Sequence, residues 1–156
     1  MTIKVAMVCM GNICRSPMAE HVFKGKVKAA GLNVEVVSGG TGDWHAGAQA
    51  HPRTQKVLQD NGYTSDHTAK QITSKWFDDY DYLIVMDETN LSDIKEFARN
   101  STDLKKVSLL RDYDSNSPKG SPVPDPYYSD YNAYLEVFEM VDAACDGLIE
   151  FLKTKG

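Results

Sequence analysis

The feature that most constrains the fold of this chain is an amino-terminal strand pattern that leads through a short loop into a helix pattern. Residues 3–8 are an apolar run typical of a buried strand. The loop that follows begins at Cys9 and ends at Arg15. Pro17 then opens a segment with helical spacing of its apolar residues, which are Met18, Val22, Phe23 and Val27. Such a junction predicts an anion-binding cradle, because loop N–H groups and the helix dipole both favour negative charge.

The residues of this loop also predict a reaction. A cysteine at a helix N-terminus ionises more readily than a free thiol and is then a nucleophile. Arg15 can hold two oxygens of a phosphate through its planar guanidinium while Cys9 attacks phosphorus, and Ser16 can donate its hydroxyl to the thiolate. The loop lacks the Lys-Ser/Thr pair of nucleotide-binding P-loops and the glycine pattern of dinucleotide folds. The Cys-x5-Arg spacing is weak by itself and gains weight from the strand–loop–helix junction that carries it.

The rest of the chain alternates strand and helix patterns. Further strands are predicted at residues 34–37, 82–86 and 107–110, and further helices at residues 52–61, 91–99 and 131–153. This alternation predicts an α/β fold, a three-layer sandwich whose central four-stranded parallel sheet carries helices on both faces. Ligands of such sheets bind at the carboxyl ends of the strands, where the Cys9 loop lies.

Two segments between these elements are predicted to be loops near the site. Residues 38–47 are rich in glycine and follow the second strand. Residues 113–130 hold four of the six prolines, which disfavours regular structure, and a loop of that length inside a domain usually has a function. Asp125 lies in this second loop, before Pro126, in a context that is by itself typical of an ordinary turn.

Length, charge and cysteine usage limit the partners and the compartment. Residues 1–156 suffice for a single domain with its own core, and a net charge of −5 argues against nucleic acid as a partner. We find no apolar segment of membrane-spanning length and no signal-peptide pattern at the start. Three cysteines do not form a secreted disulfide framework, so a reducing cytoplasm is predicted. The protein is expected to be a monomer or a weak dimer.

Taken together, the motifs resemble one enzyme family. The run at positions 8–20, Val-Cys-Met-Gly-Asn-Ile-Cys-Arg-Ser-Pro-Met-Ala-Glu, is similar to the signature of the low-molecular-weight protein tyrosine phosphatases. That family also has an Asp-Pro-Tyr near its C-terminus. Its later landmarks are matched in order by Ser38, Asp43-Trp44, His67-x-Ala69-Lys70-Gln71-Ile72, Met86-Asp87-Glu88-Thr89-Asn90 and Asp125-Pro126-Tyr127-Tyr128. The resemblance covers nearly the whole chain, and one departure is Ser129, where the family often has glycine.

The resemblance implies a metal-independent protein-tyrosine-phosphatase without a cofactor, which hydrolyses phosphotyrosine in proteins, and small aryl phosphates, through a cysteinyl-phosphate. Cys9 is then the nucleophile, and Asp125 is first the general acid and later the general base. The phosphoryl oxygens are bound by the loop formed by Met10, Gly11, Asn12, Ile13, Cys14, Arg15 and Ser16. Phosphate and similar oxyanions are expected inhibitors, and activity is expected to favour mildly acidic pH.

Two further groups of residues match supporting positions of the family. A hydrogen-bond network that holds the phosphate loop in a strained shape is matched by Asn12, Ser16, Ser38 and His67, with Asn12 expected at positive φ. An aromatic wall around a deep cleft, which suits phosphotyrosine, is matched by Trp44, Tyr127 and Tyr128. The other histidines, His21, His45 and His51, belong to no recognisable constellation, and no metal-ligand spacing is present.

Cys14 shares the loop with Cys9 and is predicted to be its redox partner. An ionised cysteine oxidises readily to sulfenic acid, and a neighbouring thiol can trap that acid as a disulfide before irreversible oxidation. We therefore expect a reversible Cys9–Cys14 disulfide that switches the enzyme off, and the family resemblance supports this expectation. Cys145 is predicted to be a core residue of the last helix.

Three other functions occur in proteins that share this sequence pattern or this fold. Protein-arginine phosphatases are the main alternative, and they carry threonine where Ile13 stands and usually another aromatic residue in place of Tyr127. Thioredoxin-linked arsenate reductases need two further cysteines in mid-chain, and none lies between Cys14 and Cys145. A catalytically silent phosphate-binding protein should lack one of the three catalytic residues, and this chain keeps all of them. Ile13 and Tyr127 therefore favour phosphotyrosine as the substrate.

Overall fold

The computed structural model describes residues 2–155, and in it strands and helices alternate along the chain. The strands are β1 (Ile3–Cys9), β2 (Val34–Gly40), β3 (Tyr82–Val85) and β4 (Val107–Leu109). The helices are α1 (Arg15–Ala30), α2 (Pro52–Asp60), α3 (Trp76–Asp79), α4 (Glu88–Ile94), α5 (Ser101–Leu104) and α6 (Tyr131–Lys153). A turn of 3-10 helix spans Leu110–Tyr113.

All four strands form one parallel sheet in the order β2-β1-β3-β4. β1 therefore lies between two neighbours, and its last residue, Cys9, pairs with Gly40 of β2. Successive side chains of β1 point to opposite faces of the sheet. Met7 and Cys9 join the core that α1 and α6 cover, whereas Ala6 and Val8 join the core that α3 and α4 cover. Helices on both faces of a four-stranded parallel sheet confirm the predicted three-layer α/β fold.

The two longest helices, α1 and α6, pack against each other on one face of the sheet. α1 ends at Ala30, and Gly31 follows it with a φ of 68°, the left-handed geometry that favours glycine after a helix. α6 begins after Asp130, whose carboxylate accepts a hydrogen bond from Ala133 N at 3.1 Å. The apolar face predicted for α6 is buried, including Cys145. This packing fixes α1, and with it the loop between β1 and α1.

Several predicted boundaries are wrong near the site. α1 begins at Arg15 rather than at Pro17, because the backbone already turns helical at Cys14. β2 continues through residues 38–40, which were predicted to be loop, because its ladder with β1 extends to the Cys9–Gly40 pair. Glycine permits this close passage, since a Cβ on Gly40 would lie 2.7 Å from the carbonyl oxygen of Met10. The third and fourth strands also end one residue before their predicted limits.

The helix predicted at residues 91–99 is present, but its bounds are wrong. α4 begins at Glu88, because the Asp87 carboxylate caps it by accepting a hydrogen bond from Asn90 N at 2.8 Å. It ends at Ile94, and hydrogen-bonded turns follow. The short helices α3 and α5 were not predicted, since four residues are too few to show a helical period.

The proline-rich segment between the 3-10 turn and α6 has no helix or strand at residues 114–130, as predicted. Several hydrogen bonds fasten it to the rest of the fold; among them, Arg111 Nη1 donates to the Pro122 carbonyl at 2.7 Å, and Val123 N donates to the Met86 carbonyl at 2.8 Å. The segment is called the acid loop below, after Asp125. None of the helices within residues 2–155 combines the length and apolarity needed to cross a membrane.

Candidate active site

The loop between β1 and α1 brings Cys9 and Arg15 to the carboxyl edge of the sheet. Cys9 ends the central strand β1 and is buried, and its Sγ lies 2.9 Å from Ser16 Oγ. Arg15 opens α1, and its side chain is only 3% exposed. The first turn of α1 thus faces the segment that carries the thiol, and its N–H groups and dipole favour an anion there.

Asn12 holds this loop from inside the protein. It is fully buried, and its φ of 58° makes it the one non-glycine residue at positive φ in the described chain. Its side-chain amide donates to Ser16 Oγ at 2.8 Å and to Ser38 Oγ at 3.0 Å, and its Oδ1 accepts from Lys70 N at 3.0 Å. The predicted positive φ is confirmed, and three side-chain hydrogen bonds compensate for it.

A second layer of polar groups supports Asn12 and Ser38. His67 Nε2 donates to the Asn12 carbonyl at 2.6 Å, which leaves Nδ1 facing Glu20 Oε1 at 3.9 Å. Ser38 Oγ donates to the same Glu20 oxygen at 2.5 Å, and Lys24 pairs with the other Glu20 oxygen. Burial lowers the pKa of His67 despite the opposing effects of its bond to Asn12 and of the Glu20 charge, so the ring is held neutral.

Arg15 connects the loop to two other segments. Its Nη1 donates to Asp87 Oδ2 at 2.5 Å and to the Val123 carbonyl at 3.1 Å, and its Nη2 lies 3.9 Å from Asp125 Oδ2. Burial by itself would lower the pKa of Arg15, but the charges of Cys9, Asp87 and Asp125 raise it above its usual value. The guanidinium therefore stays charged in a buried position, where an oxyanion can reach it.

The cleft above the loop has a volume of about 400 Å³. Its lining residues are Cys9, Met10, Gly11, Ile13, Cys14, Arg15, Trp44, His45, Asp125, Tyr127 and Tyr128. The rim is aromatic and open, with Trp44 70% and Tyr128 98% exposed. The Asp125 side chain is 52% exposed, and its Oδ1 accepts from Tyr127 N at 3.1 Å. An aryl ester whose anionic end reaches the loop can thus lie between aromatic side chains.

The structure separates the predicted site residues into two groups. None of the four proposed supporting residues lines the cleft; they hold the loop from behind through the hydrogen bonds described above, and they are Asn12, Ser16, Ser38 and His67. The residues predicted to bind phosphate or to form the wall line the cleft, except Asn12 and Ser16. Their catalytic and binding roles remain predictions at this point.

The prediction that His45 and His51 belong to no constellation is wrong. His45 lines the cleft, and its ring centroid lies 5.9 Å from that of Tyr127. The His51 ring stacks on Tyr134 at 5.1 Å and meets Tyr127 edge-on at 5.6 Å, while its Nδ1 caps α2 by accepting from Arg53 N at 3.1 Å. Burial, followed by the Arg53 charge, lowers the pKa of His51. Adjacency to Pro52 was the one signal that could have suggested the capping role.

Asp87 and Glu20 were also missed as residues of the site, although both lie in motifs that matched the family. His21, by contrast, lies away from the cleft, with its ring nitrogens 2.7 Å from Thr64 Oγ1 and 2.6 Å from the Asp66 carbonyl oxygen. Within residues 2–155, no three His, Cys, Asp or Glu side chains are grouped so as to hold a metal ion.

Cys14 lies on the α6 side of the loop. Its Sγ is 3.4 Å from Tyr134 Oη, and this hydroxyl also donates to the Tyr127 carbonyl at 3.5 Å. Burial, opposed by the bond to Tyr134, raises the pKa of Cys14 to about 12. All three cysteines are free, and the raised pKa keeps Cys14 a protonated thiol in the loop that also carries Cys9.

Comparison with known proteins gives one consistent result. Residues 4–156 match the family model for low molecular weight phosphotyrosine protein phosphatase. A low molecular weight protein-tyrosine-phosphatase of Streptomyces coelicolor is 47% identical over 152 residues, which are 96% of this chain and 93% of that protein. The crystal structure of a protein tyrosine phosphatase from Entamoeba histolytica, with Hepes in its active site, superposes with a TM-score of 0.93 at 31% identity, covering 99% of both chains.

The alternatives raised by the sequence are not favoured by these comparisons. YwlE of Bacillus subtilis, an arginine phosphatase, shares the fold with a TM-score of 0.87 but is 26% identical, over 97% of this chain and 96% of its own. The identity to the tyrosine phosphatases is higher, at 47% for the Streptomyces protein. Ile13 and Tyr127, which the sequence analysis used to favour phosphotyrosine, both line the cleft.

Proposed function

Since this chain belongs to the low molecular weight phosphotyrosine protein phosphatase family, and is by that membership a protein-tyrosine-phosphatase, we propose that Cys9, Arg15 and Asp125 carry its chemistry. The observation behind the proposal is their convergence: the buried thiol, the buried guanidinium and the exposed carboxylate all line one aromatic cleft. The substrates are phosphoproteins, and we propose that phosphotyrosine side chains of those proteins enter the cleft. Residues 1–156 act as one catalytic domain in this proposal.

In the first step, the Cys9 thiolate attacks phosphorus and the bond between phosphorus and the tyrosyl oxygen breaks. Asp125 donates a proton to that oxygen, so that a neutral phenol leaves. Arg15 and the N–H groups of residues 10–15 bind the three phosphoryl oxygens. These donors are fixed before charge develops, because Asn12 and Ser16 hold the loop in place, and fixed donors stabilise a transition state most effectively.

In the second step, water hydrolyses the cysteinyl-phosphate. Asp125, now a carboxylate, takes a proton from the attacking water, and the bond between sulfur and phosphorus breaks. Ser16 Oγ, 2.9 Å from Cys9 Sγ, donates a hydrogen bond to the departing thiolate. Phosphate is the product and binds the same donors, so phosphate and similar oxyanions should inhibit competitively.

The rim supports recognition of an aromatic ester. Trp44 and Tyr128 stand at the mouth, and the rings of Tyr127 and Tyr128 meet edge-on with centroids 4.8 Å apart. A ring between these side chains gains apolar contact and aromatic packing. Arg15 is buried at the base of the cleft while the rim is exposed, and this arrangement supports phosphotyrosine, whose phosphate stands farther from the backbone than that of phosphoserine.

Cys14 supports reversible inactivation by peroxide. Peroxide converts the Cys9 thiolate to sulfenic acid and releases hydroxide; the Cys14 sulfur then attacks the oxidised sulfur, and water leaves as the disulfide forms. The test is thiol rescue after peroxide treatment, with Cys145→Ala as control because Cys145 is buried in α6. Wild type and Cys145→Ala should recover fully and Cys14→Ser only in part, whereas full recovery of Cys14→Ser would refute the role.

The compartment and the assembly belong to the same proposal. Three free cysteines, including a nucleophilic one, suit the reducing cytoplasm. A net charge of −5 disfavours nucleic acid as a partner, and we expect a monomer or weak dimer.

Turnover of p-nitrophenyl phosphate in the presence of EDTA tests the mechanism. Wild type should be active, Cys9→Ser inactive, and Asp125→Ala slowed by about 10²–10⁴-fold in kcat/KM, the range of general acid catalysis. Phosphotyrosine and phosphoarginine peptides then distinguish the two substrate classes. An inactive reduced wild type, or an active Cys9→Ser variant, would contradict the proposed roles.

A further inference from the structure

Tyr127 forms part of the cleft wall, but it stands on the acid loop, which has no helix or strand of its own. Its backbone N–H donates to Asp125 Oδ1 at 3.1 Å, and Ser129 N donates to the Pro126 carbonyl at 2.8 Å. These local bonds shape the turn but do not fix it relative to the phosphate loop. A ring that packs against a bound ligand works best when it is already held in place, because ordering it on binding costs free energy. The position of Tyr127 therefore depends on contacts with other segments.

The ring of His51, at the start of α2, supplies such a contact. It stacks on Tyr134 with centroids 5.1 Å apart and planes inclined at 29°, and it meets Tyr127 edge-on at 5.6 Å and 70°. Tyr134 belongs to α6 and is fully buried, and its hydroxyl also donates to the Tyr127 carbonyl at 3.5 Å. The wall residue is thus backed by a histidine that rests on the core of the domain.

His51 is itself fixed to the phosphate loop and to α2. Its backbone N–H donates to the Ile13 carbonyl at 2.8 Å, and its Nδ1 caps α2 by accepting from Arg53 N at 3.1 Å. Its carbonyl accepts from Gln55 N at 3.0 Å. Ile13 and Tyr127 both line the cleft, and both contact this one histidine. His51 therefore links the position of the aromatic wall to that of the phosphate loop.

We propose that His51 is a positioning residue for substrate recognition: its ring holds Tyr127 at the distance from the phosphate loop that lets one aromatic ester contact both. His51 does not line the cleft, so it acts through Tyr127 and not on the ligand. The inference rests on the proposed function, because it assigns a cause to the binding of aryl esters. Its experimental signature is a loss of the affinity that a ligand gains from its ring, without a loss of affinity for the anionic group.

Two substitutions separate the two tasks of this side chain. His51→Asn keeps a cap for α2, because asparagine is among the best capping residues, but it has no ring to pack against Tyr127. His51→Phe keeps a ring between Tyr127 and Tyr134 but has no acceptor for Arg53 N. The melting temperature of His51→Phe should fall by about 2–4 °C, the scale of one lost cap, while its ring still supports the wall.

The assay compares the dissociation constants of benzylphosphonate and methylphosphonate, which share an anionic group and differ by an aromatic ring. Equilibrium titration of the reduced protein measures both without turnover. Wild type should bind benzylphosphonate more tightly, since its ring packs against the wall. In His51→Asn this advantage should shrink by about 2–10-fold, the scale of one aromatic pair, while the affinity for methylphosphonate stays unchanged. His51→Phe should retain most of the advantage.

His21→Asn is the matched control, because it removes the ring of another histidine that joins two segments. His21 is buried away from the cleft, and its ring nitrogens lie 2.7 Å from Thr64 Oγ1 and 2.6 Å from the Asp66 carbonyl oxygen. Its substitution should lower the melting temperature and leave the ratio of the two dissociation constants unchanged.

A second measurement tests whether His51 acts through Tyr127. In a Tyr127→Ala background the His51 ring has no wall residue to hold, so adding His51→Asn should leave the ratio of the two dissociation constants as it is in Tyr127→Ala. If His51→Asn reduced the advantage of benzylphosphonate equally with and without Tyr127, the proposed route would be wrong.

Three further results would overturn the proposal. They are a folded His51→Asn protein with the wild-type ratio, an equal weakening of both ligands, and a His51→Phe protein that loses the advantage as fully as His51→Asn. If His51→Asn does not fold, His51→Ser, which also caps a helix and lacks a ring, takes its place. Equal binding of the two phosphonates by wild type would instead contradict the aromatic wall of the proposed function, and this proposal would fall with it.

Discussion

Replacement of Asn12 is the sharpest test of how the phosphate loop keeps its shape. The buried side chain makes three hydrogen bonds, at 2.8, 3.0 and 3.0 Å, with Ser16, Ser38 and Lys70 N. At about 1 kcal/mol for each bond, their removal should lower the free energy of unfolding by about 3 kcal/mol. The φ of 58° adds a second cost for alanine, about 1–2 kcal/mol, because its Cβ is strained in the left-handed region.

Asn12→Gly loses the same three bonds without that strain. Glycine instead gains freedom in the unfolded chain, which costs about 0.4–1 kcal/mol. We therefore expect Asn12→Ala to be destabilised by about 4–5 kcal/mol and Asn12→Gly by somewhat less. Urea unfolding measures both, and kcat/KM for p-nitrophenyl phosphate should fall in both.

Asn61→Ala is the control for loss of an asparagine amide. Asn61 has a φ of −106° and donates one hydrogen bond, to the Val57 carbonyl at 2.8 Å, so its loss should cost about 1 kcal/mol. The reasoning would be refuted if both Asn12 variants matched this control. An Asn12→Ala protein more stable than Asn12→Gly would refute the strain argument alone.

Two other predictions concern pH and packing. Burial lowers the pKa of His67 in the folded protein. Below pH 6.5, the usual pKa of histidine, the unfolded chain therefore binds a proton that the folded protein does not. The contribution of His67 to the free energy of unfolding is fully present above pH 6.5 and is lost as the pH falls toward the pKa of the folded state. Below pH 6.5, the slope of the unfolding free energy against pH should be smaller in His67→Gln than in wild type, by at most about 1.4 kcal/mol per pH unit. Equal slopes in the two proteins would contradict this prediction. Gly40→Ala places a Cβ 2.7 Å from the Met10 carbonyl oxygen, a backbone atom, so the loop must shift. Because the loop N–H groups are then misplaced, the inhibition constant for inorganic phosphate should rise by about tenfold or more. An unchanged inhibition constant would show that the loop accommodates the added methyl group.

Sequence patterns predicted the parts of this site that are formed by residues close together in the sequence. The apolar run, the loop and the helix pattern of the first segment are consecutive, so β1, Cys9 and Arg15 follow from one short stretch. Asn12 could be expected at positive φ because asparagine tolerates that region better than most residues. The buried face of α6 was likewise predicted from the helical spacing of its apolar residues, because this long helix repeats that spacing several times.

Contacts between distant segments were not predictable in this way. Asp87 and Arg15 are 72 positions apart, and neither residue carries a local signal of the other. Residues 38–40 contain two glycines, which suggests a loop, but their hydrogen bonds with β1 extend the strand. The role of His51 depends on two rings, Tyr127 and Tyr134, that lie on other parts of the chain. Each of these features arises from tertiary packing that overrides local preference.

The separation between the buried support of the phosphate loop and the exposed rim has a consequence for evolution and for engineering. Asn12 and Ser38, which hold the loop, are buried, while Trp44 and Tyr128 at the rim are exposed and would be the first side chains that a phosphoprotein meets under the proposed function. Substitutions at the rim can therefore redirect the enzyme to another phosphoprotein at little cost to the fold or to the chemistry. The fold can thus accept changes in substrate preference at the rim while the buried hydrogen bonds of Asn12 keep the phosphate loop in its shape.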